Sequence, residues 1–462
     1  MTESTYTTPR RTLSLSDRFL LLLSVVLMGY AMAGRGFAYL GFPPLVVGEI
    51  AYVLGIVTLL RTGCLVAVLA TLPGVLLAIT ITYVLARTLP FIGMYGTDAL
   101  RDSVVIVYGG FGLIVVAMLL EDSSRVRRIL CYYNNFLTIF IPALPFIYAL
   151  TYYYQAYVPN LPGTSVPILD INNSDAAAHL AGAAVFALIG FRRATKVWVA
   201  LWLAAAIMVV GTSRGSLLAV VAPIVFACLV LGKVRQLAGI IVAGTLIFGA
   251  AYVGEMTFTG GYPEPIESPD RRPTPSQIGE NFVGIITSKG QGEDTKRWRL
   301  DWWDLIISDT LFGDNFWTGR GFGLNLSVAD GFQDTEAEQL GRPPLRSPHN
   351  VHMTMLARAG VPGLILWTLL VVSWFGFIGK AMLTARRRRQ KHWAHLFLFI
   401  ACYFAAMLIT ASFDVVLERP MLGIWFWCLF GFGLGSVMIY RYQNATSWQG
   451  HQVLAERHPD PR

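Results

Sequence analysis

Charged residues are scarce in this chain and almost missing from its long apolar stretches. Asp, Glu, Lys and Arg make up 14% of 462 residues, whereas hydrophobic residues make up 55%. A soluble domain of this length could not bury so much apolar surface. The composition therefore excludes an ordinary soluble enzyme and predicts an integral membrane protein.

Motifs for metal, nucleotide and nucleic-acid chemistry are also missing. All five cysteines lie in apolar stretches, which argues against a disulfide framework or a zinc motif. No Walker loop or Gly-x-Gly-x-x-Gly turn is present, so nucleotide hydrolysis is not supported. Asp334-Thr335-Glu336 lacks an Asp-x-Asp pattern, and we expect no metal and no cofactor. The net charge of +8 is scattered over separate segments, so nucleic acid is not an expected partner.

Apolar runs long enough to cross a bilayer recur along the chain. About twelve are predicted to be membrane spans: 18–34, 45–60, 64–85, 103–120, 130–153, 176–190, 196–210, 215–232, 237–256, 361–380, 395–413 and 420–440. The first run is interpreted as a retained helix, since no small-residue cleavage site follows it. The predicted fold class is an all-α polytopic membrane protein. Spans one to nine lie within 1–256, and spans ten to twelve with a cytoplasmic tail lie within 350–462.

Basic residues alternate between the ends of successive spans. The richer ends, including the run from Arg386 to Arg389, are expected to stay in the cytoplasm. Both termini are then cytoplasmic, and residues 257–349 form one large loop outside it. The spans themselves carry almost no ionisable groups away from their ends, which disfavours an ion-coupled transporter.

The 257–349 loop changes character along its length. Residues 257–296 are rich in Pro, Gly, Ser and Thr and are predicted to be irregular. Residues 297–312 predict an amphipathic helix with two different faces. Its polar stripe comprises Asp301, Asp304 and Ser308, and its apolar face comprises Trp302, Trp303, Ile306 and Ile307. This pattern is typical of a helix in the membrane interface, and a face buried against protein is the alternative. Gly321-Phe322-Gly323 predicts a flexible turn.

His349 is the first candidate for chemistry, at the end of this loop. Ser347 is a good N-cap and Pro348 suits the first helical position, so His349 is predicted in the first turn of a helix that runs to about Gly360. The positive helix end disfavours imidazolium and attracts anions. A neutral base beside an anion site suits attack of a hydroxyl on a phosphate-activated substrate. The alternative is a His that only hydrogen-bonds the loop.

Arginines outside the cytoplasmic loops are the next candidates. Arg214 lies between two apolar runs, at an end assigned to the outer face, and needs a partner there. With Arg299 or Arg297 from the loop it can clamp a diphosphate, for which the planar guanidinium is well shaped. The alternative is an Arg214 side chain that reaches the lipid headgroups.

Several of these motifs resemble a known family. Thr-Ser-Arg-Gly at 212–215, Arg299 four residues before Trp303, Gly-Arg-Gly-Phe-Gly at 319–323, and His349-Asn350 followed by a short helix and Gly360-Val361-Pro362-Gly363 resemble the O-antigen ligase and polymerase superfamily. The resemblance covers residues 196 to 382. It implies a bacterial inner-membrane glycosyltransferase of the GT-C type, with its site on the periplasmic face.

The resemblance also implies partners and roles. The donor would be a glycan on undecaprenyl diphosphate, the acceptor a glycan or lipid A core sugar, and the reaction inverting and independent of metal. Arg214 and Arg299 would bind the diphosphate, with Arg297 as an alternate. His349 would activate the acceptor hydroxyl. Chain-length regulators or export proteins are further partners to expect.

Two other functions fit the same composition. A lipid-linked oligosaccharide flippase or other polytopic transporter shares the span count, but it predicts charges along many spans. A structural partner in a polysaccharide export assembly would use the loop as a docking surface and need none of the candidate residues individually. Ligase and polymerase share donor and chemistry, and the sequence leaves both open.

Overall fold

The structure, a computed structural model, consists mainly of α-helices. It describes residues 14–42, 45–64, 66–211, 213–258, 293–333 and 345–457. In chain order the helices are α1 (Leu15–Ala33), α2 (Arg35–Ala38), α3 (Val47–Arg61), α4 (Leu72–Thr88), α5 (Ile92–Tyr95), α6 (Thr97–Val107), α7 (Gly109–Glu121), α8 (Arg125–Tyr152), α9 (Asn173–Leu188), α10 (Lys196–Val210), α11 (Arg214–Val230), α12 (Val234–Phe258), α13 (Glu293–Phe312), α14 (Leu326–Asp330), α15 (Val351–Arg387), α16 (Lys391–Ala411) and α17 (Pro420–Arg457).

Short elements complete the described residues. Single 3-10 turns cover Ala67–Leu69, Leu89–Phe91, Gln155–Tyr157 and Val416–Glu418. Strands β1 (Gly41–Phe42) and β2 (Leu45–Val46) pair antiparallel. The predicted irregular segment and Asp334-Thr335-Glu336 fall almost entirely outside the described residues, as does Thr212 of the Thr-Ser-Arg-Gly motif.

Six helices of the described chain are long and apolar enough to cross a membrane. They are Leu15–Ala33, Leu72–Tyr95, Arg125–Tyr152, Val351–Arg387, Lys391–Ala411 and Pro420–Ala445, and α6 with α7 makes a seventh if this pair, bent by 43°, is one span. Helices also lie at the remaining predicted spans, but α3, α9, α10 and α11 have only 15 to 17 residues. At 1.5 Å per residue such helices fall short of a hydrocarbon core of about 30 Å. A polytopic helical membrane protein is thus confirmed, and the count of twelve spans stays a prediction.

The core of the bundle forms around α17. This helix packs along α7, where glycines let the two backbones approach: a Cβ on Gly431 would lie 2.2 Å from the Gly112 carbonyl oxygen. The Trp427 indole of α17 also donates to the Val105 carbonyl oxygen of α6 at 3.1 Å. Small residues at helix contacts are the usual means of packing helices closely in membranes. A side chain at Gly431 would therefore force α7 and α17 apart.

Several side-chain contacts join helix ends that the alternating basic residues assign to the same side of the membrane. At one group of ends, Arg125 bonds Asp17 at 2.9 Å and the Lys233 ammonium bonds the Leu188 carbonyl oxygen at 2.6 Å. These residues belong to ends predicted to be cytoplasmic. At the other group, Asn173 at the start of α9 donates to Ser216 at the start of α11 at 3.0 Å. Which side of the membrane each group faces stays a prediction.

Helix α13 is the predicted amphipathic helix, and its apolar face is buried against protein. Trp302 and Ile306 are fully buried, in a cluster with Leu326, Leu356 and Ala357. Asp301, Asp304 and Ser308 are exposed, as expected from the polar stripe. Of the two alternatives for the apolar face, the structure therefore has the face packed on α14 and on the first turns of α15.

Helix α15 breaks at Gly360, where the first short helix was predicted to end. Gly360 has φ 68° and ψ −171°, a conformation that only glycine adopts easily. A Cβ there would lie 2.6 Å from the Phe316 carbonyl oxygen and 2.9 Å from the Gly319 nitrogen. The break thus depends on glycine for both its backbone conformation and the space around it.

The Gly-Arg-Gly-Phe-Gly segment caps the helix that ends at this break. The backbone N–H groups of Arg320 and Gly321 donate to the carbonyl oxygens of Ala357 and Arg358, at 2.8 and 3.0 Å. Carbonyls at a helix end have no partner within the helix, so these bonds satisfy two of them. Phe322 is fully buried. The flexibility of this turn stays a prediction, but its glycines serve close packing: a Cβ on Gly319 would lie 2.4 Å from the Arg358 backbone, and a Cβ on Gly321 would lie 2.2 Å from the Phe91 ring.

Candidate functional site

His349 lies just before α15 and has an unusual backbone conformation. Its φ is 53°, and apart from Arg389 it is the only non-glycine residue with positive φ among the described residues. Histidine adopts this left-handed region more readily than most residues, but the conformation still costs energy. Such outliers collect at functional sites. The side chain is 25% exposed.

The prediction that His349 lies in the first helical turn was wrong. The N-cap is Asn350, whose side chain accepts the backbone N–H of His352 at 2.9 Å and of Met353 at 3.3 Å. Asn and Ser are equally good N-caps, so the sequence did not decide between Asn350 and Ser347. Ser347 is buried instead and bonds Glu418. His349 is therefore next to the positive end of the helix and not inside it.

The candidate residues meet at the short segment that directly follows α16. It comprises Ser412, Phe413 and Asp414, and we call it the 412–414 segment. The Arg299 guanidinium donates to the Phe413 carbonyl oxygen at 3.1 Å. A Cβ on Gly215, the residue after Arg214, would lie 3.0 Å from the Phe413 Cβ. Helices α11 and α13 thus touch this segment from two directions.

The loop before α15 meets the same segment. His349 Nδ1 lies 3.4 Å from Asp414 Oδ1, a contact longer than a well-formed hydrogen bond. Catalytic hydrogen bonds in unliganded proteins are commonly long and tighten when substrate binds. Three elements that are remote in sequence from the 412–414 segment therefore converge on it: α11, α13 and the loop at His349.

The two loop arginines differ in their placement. Arg297 is exposed, whereas Arg299 is half-buried and contacts the 412–414 segment. Arg214 is half-buried and is the first residue of α11, with Ser213 as the N-cap. The structure thus brings Arg214, Arg299 and His349 to one region and leaves the Arg297 side chain in solvent.

Asp414 is a charged residue of this region that the sequence reasoning did not select. Its Oδ2 lies 3.1 Å from the Arg419 guanidinium, and its Oδ1 accepts the Val415 backbone N–H at 2.7 Å. Burial alone would raise the pKa of Asp414, but the Arg419 charge and the contacts with His349 and Ser174 outweigh it. The pKa of Asp414 therefore lies well below its ordinary value, and the group is a carboxylate at neutral pH.

His352 has both ring nitrogens occupied. The Trp367 indole, which can only donate, bonds Nδ1 at 3.1 Å, so Nδ1 must be an acceptor. Nε2 then carries the proton and faces the Ser412 hydroxyl at 3.2 Å. This arrangement fixes a neutral His352 that links the 412–414 segment to Trp367, beyond the break at Gly360.

A buried charge network holds the start of α15 in place. Arg358 is fully buried and lies 3.0 Å from Asp102, whose side chain is 4% exposed. Arg346 also bonds Asp102, at 3.2 Å. Glu418 accepts a hydrogen bond from Thr354 at 3.0 Å, and burial raises its pKa although the Arg358 charge opposes this. Breaking one partner of a buried ion pair is strongly destabilising, so this network fixes the loop and helix that carry His349.

Sequence reasoning missed Asp414, Arg419 and the Asp102 network for one reason. Asp102 pairs with Arg346 and Arg358, both more than two hundred positions away, and Asp414 faces His349, 65 positions away, so no local pattern links these residues. The available signal was weak: Asp414 and Arg419 are charges at outer ends that the distribution of basic residues does not explain. His179 is a buried histidine with a polar contact elsewhere in the bundle: its Nδ1 lies 2.6 Å from the Tyr403 hydroxyl. Within the described ranges no group of three His, Cys, Asp or Glu side chains lies close enough to hold a metal ion.

These observations define a polytopic helical membrane protein with basic side chains, a histidine and a carboxylate gathered at one end of the bundle. Residues 199–368 match the family model described as O-antigen ligase. The match confirms the resemblance to the O-antigen ligase and polymerase superfamily that the sequence motifs indicated. The matched range contains Arg214, Arg297, Arg299 and His349, whereas Asp414 and Arg419 lie beyond it. No curated protein matches the chain.

Proposed function

We propose that the protein transfers a glycan from undecaprenyl diphosphate to an acceptor sugar hydroxyl on the periplasmic face of the bacterial inner membrane. The observation that carries this proposal is the convergence of Arg299, His349 and the start of α11, where Gly215 follows Arg214, on the 412–414 segment. The family match also includes Arg214, Arg299 and His349. The enzyme would be an O-antigen ligase or a repeat-unit polymerase, of the GT-C type.

The diphosphate end of the donor suits the arginine side of this region. Arg214 begins α11, and Asn173 of α9 bonds Ser216 of α11, so two helix N-termini lie side by side. Helix N-termini attract anions through their free N–H groups and dipoles. Arg299 adds a planar guanidinium, which binds phosphate oxygens in pairs. This combination stabilises the charge that develops on a departing diphosphate.

The acceptor end suits His349. Its Nδ1 faces Asp414, which leaves Nε2 as the nitrogen that takes the proton of the acceptor hydroxyl. The acceptor oxygen then bonds to the anomeric carbon while the bond from that carbon to the phosphate oxygen breaks. The diphosphate leaves with the electron pair, and attack from the opposite face inverts the anomeric configuration. Asp414 orients the imidazole and stabilises its protonated form, in the manner of other carboxylate–histidine pairs.

Reconstitution in proteoliposomes with a lipid-linked repeat tests this proposal. Growth into longer chains without another acceptor indicates a polymerase, and reaction only after addition of lipid A core indicates a ligase. Movement of the donor across the bilayer without a new glycosidic bond would instead show a transporter, and the proposal would be wrong.

His349 is the residue whose replacement tests the chemistry. A general base contributes about 10²- to 10⁴-fold, so His349→Ala should lose most of that rate. His349→Asn is the matched control for the backbone, because asparagine also tolerates positive φ. Both variants should lose activity equally. Full activity of the Asn variant would show that the backbone conformation matters and the imidazole does not.

A further inference from the structure

A closed ring of contacts passes through α13 and His349. Helix α13 provides two of its links, four residues apart: the Arg299 guanidinium to the Phe413 carbonyl oxygen at 3.1 Å, and the Trp303 indole N–H to the Pro348 carbonyl oxygen at 2.8 Å. The contact of His349 with Asp414, each adjacent in sequence to one of those carbonyls, closes the ring at 3.4 Å. The positions of the donor-binding arginine and of the base are therefore coupled through Trp303.

A hydrogen bond to the Pro348 carbonyl fixes the peptide unit that precedes His349. It belongs to the planar peptide unit that joins Pro348 to His349, and φ of His349 is the rotation that follows this unit. His349 has φ 53°, away from the regions that most residues prefer. The orientation of this one peptide plane therefore decides whether the imidazole faces Asp414.

We propose that Trp303 is a positioning residue: its indole N–H holds the Pro348–His349 peptide plane and so keeps His349 left-handed and against Asp414. The inference rests on the proposed role of His349 as the base. Trp303 touches neither substrate in this scheme. It acts only through the peptide that precedes the imidazole.

The chemistry of the indole makes it selective for one orientation of the plane. Indole nitrogen is a donor only, whereas a hydroxyl or a water molecule both donates and accepts. If the plane flipped, the His349 N–H would turn toward the indole N–H and two donors would face each other. Trp303 therefore favours the observed plane and disfavours the flipped one, which a serine at this position would not do.

The helix that carries Trp303 is held firmly. Its neighbours Trp302 and Ile306 are fully buried, and the Trp302 indole bonds Asp330 at 2.7 Å. Burial of the Trp302 and Ile306 side chains fixes α13, and phenylalanine at position 302 would keep that burial. The Trp303 hydrogen bond therefore transmits a defined position to the His349 loop. Trp302 also supplies a matched control. It carries the same indole one residue away, and the acceptor of its N–H, Asp330, is not part of the ring of contacts that includes His349.

Trp303→Phe removes the N–H and keeps the aromatic ring. With the reconstituted protein we expect kcat to fall about tenfold, the value of one ordinary hydrogen bond. The KM for the donor should stay unchanged, because Arg299 is untouched. Trp302→Phe should leave kcat near normal. Equal losses of kcat in the two variants would overturn the inference.

A double-variant comparison separates positioning from general stabilisation. On a His349→Ala background, Trp303→Phe should cause no further loss of kcat, because Trp303 acts only through the imidazole. A further loss of the same size would show that Trp303 acts independently of His349.

Modification of His349 by diethyl pyrocarbonate, followed by peptide mass spectrometry, tests the inference without any transferase assay. Nδ1 of His349 is enclosed in the wild type, whereas Nε2 is the nitrogen that this scheme leaves open, so Trp303→Phe should increase the rate of the second modification, at Nδ1, and Trp302→Phe should not. An unchanged rate in Trp303→Phe would overturn the positioning role. If the wild type shows no glycan transfer, the proposed function fails, and the modification result still decides on Trp303.

Discussion

Asp414→Asn tests the pairing of carboxylate and histidine that the tertiary structure adds to the site. The substitution removes the negative charge and keeps the side-chain shape. Asp414 contacts His349 at 3.4 Å and Arg419 at 3.1 Å, so it is the only described residue that joins the proposed base to a fixed positive charge. Its replacement should lower the rate of transfer without changing how the donor binds.

The size of the effect follows from the geometry. Two unit charges 3.4 Å apart interact by about 5 kcal/mol at an effective dielectric constant of about 20. Arg419 offsets part of this field, and the His349 and Asp414 side chains are 25% and 17% exposed, which lets solvent screen the pair. About 2–3 kcal/mol then remains as the contribution of the Asp414 carboxylate to the transition state. At 1.36 kcal/mol per factor of ten, kcat should fall about 30- to 150-fold.

The assay is transfer from a lipid-linked donor in nanodiscs, with kcat and KM determined separately. Asp170→Asn is the matched control, because Asp170 pairs with Arg35 at 3.6 Å at the same end of the bundle and does not contact His349. We expect near-normal kcat in that variant. Full kcat in Asp414→Asn would refute the role of the carboxylate, and a large rise in donor KM would place Asp414 in donor binding.

Three further predictions follow from other contacts. Arg299→Ala should lower the rate of transfer about tenfold or more, because hydrogen bonds to a charged group contribute about 1.5–3 kcal/mol. Arg297→Ala should have little effect. Equal losses of the two variants in a transfer assay would contradict the assignment of Arg299. Gly360→Ala should destabilise the protein by about 1–3 kcal/mol, since the glycine has φ 68° and its Cβ would lie 2.6 Å from a carbonyl oxygen, and thermal unfolding in detergent measures this. The folded pKa of Asp414 is depressed, so its contribution to stability is present above the unfolded value of about 3.9 and is lost as the pH falls toward the folded pKa. The Asp414→Asn variant should therefore lose less stability than the wild type between about pH 5 and pH 3. Acid transitions that coincide in the two proteins would contradict this.

Much of the helical framework could be predicted, because hydrophobic periodicity is local. A helix lies at each predicted span, the stripe of Asp301, Asp304 and Ser308 is exposed, and the first part of α15 ends at Gly360. The start of that helix was harder, because Ser347 and Asn350 are equally good caps. Asn350 is the cap because its side chain reaches two backbone N–H groups, while Ser347 is drawn to Glu418.

The candidate site was predictable in part. His349, Arg214 and Arg299 were selected because each is a polar residue at an outer end beside a helix start or a motif. The choice of Arg299 over Arg297 was left open, since both lie near the same helix turn. The exposure of Arg297 and the contact of Arg299 with the Phe413 carbonyl distinguish them.

By itself the sequence determined the class of protein, the alternation of its helix ends and the residues able to do acid–base and anion chemistry, because composition, charge placement and capping act over a few neighbouring residues. Only the tertiary structure decided that Asp414, 65 positions beyond His349, faces the imidazole, and that Trp303 holds the peptide before it. Contacts between segments that are distant in the chain depend on how the helices pack, and no local pattern encodes that packing.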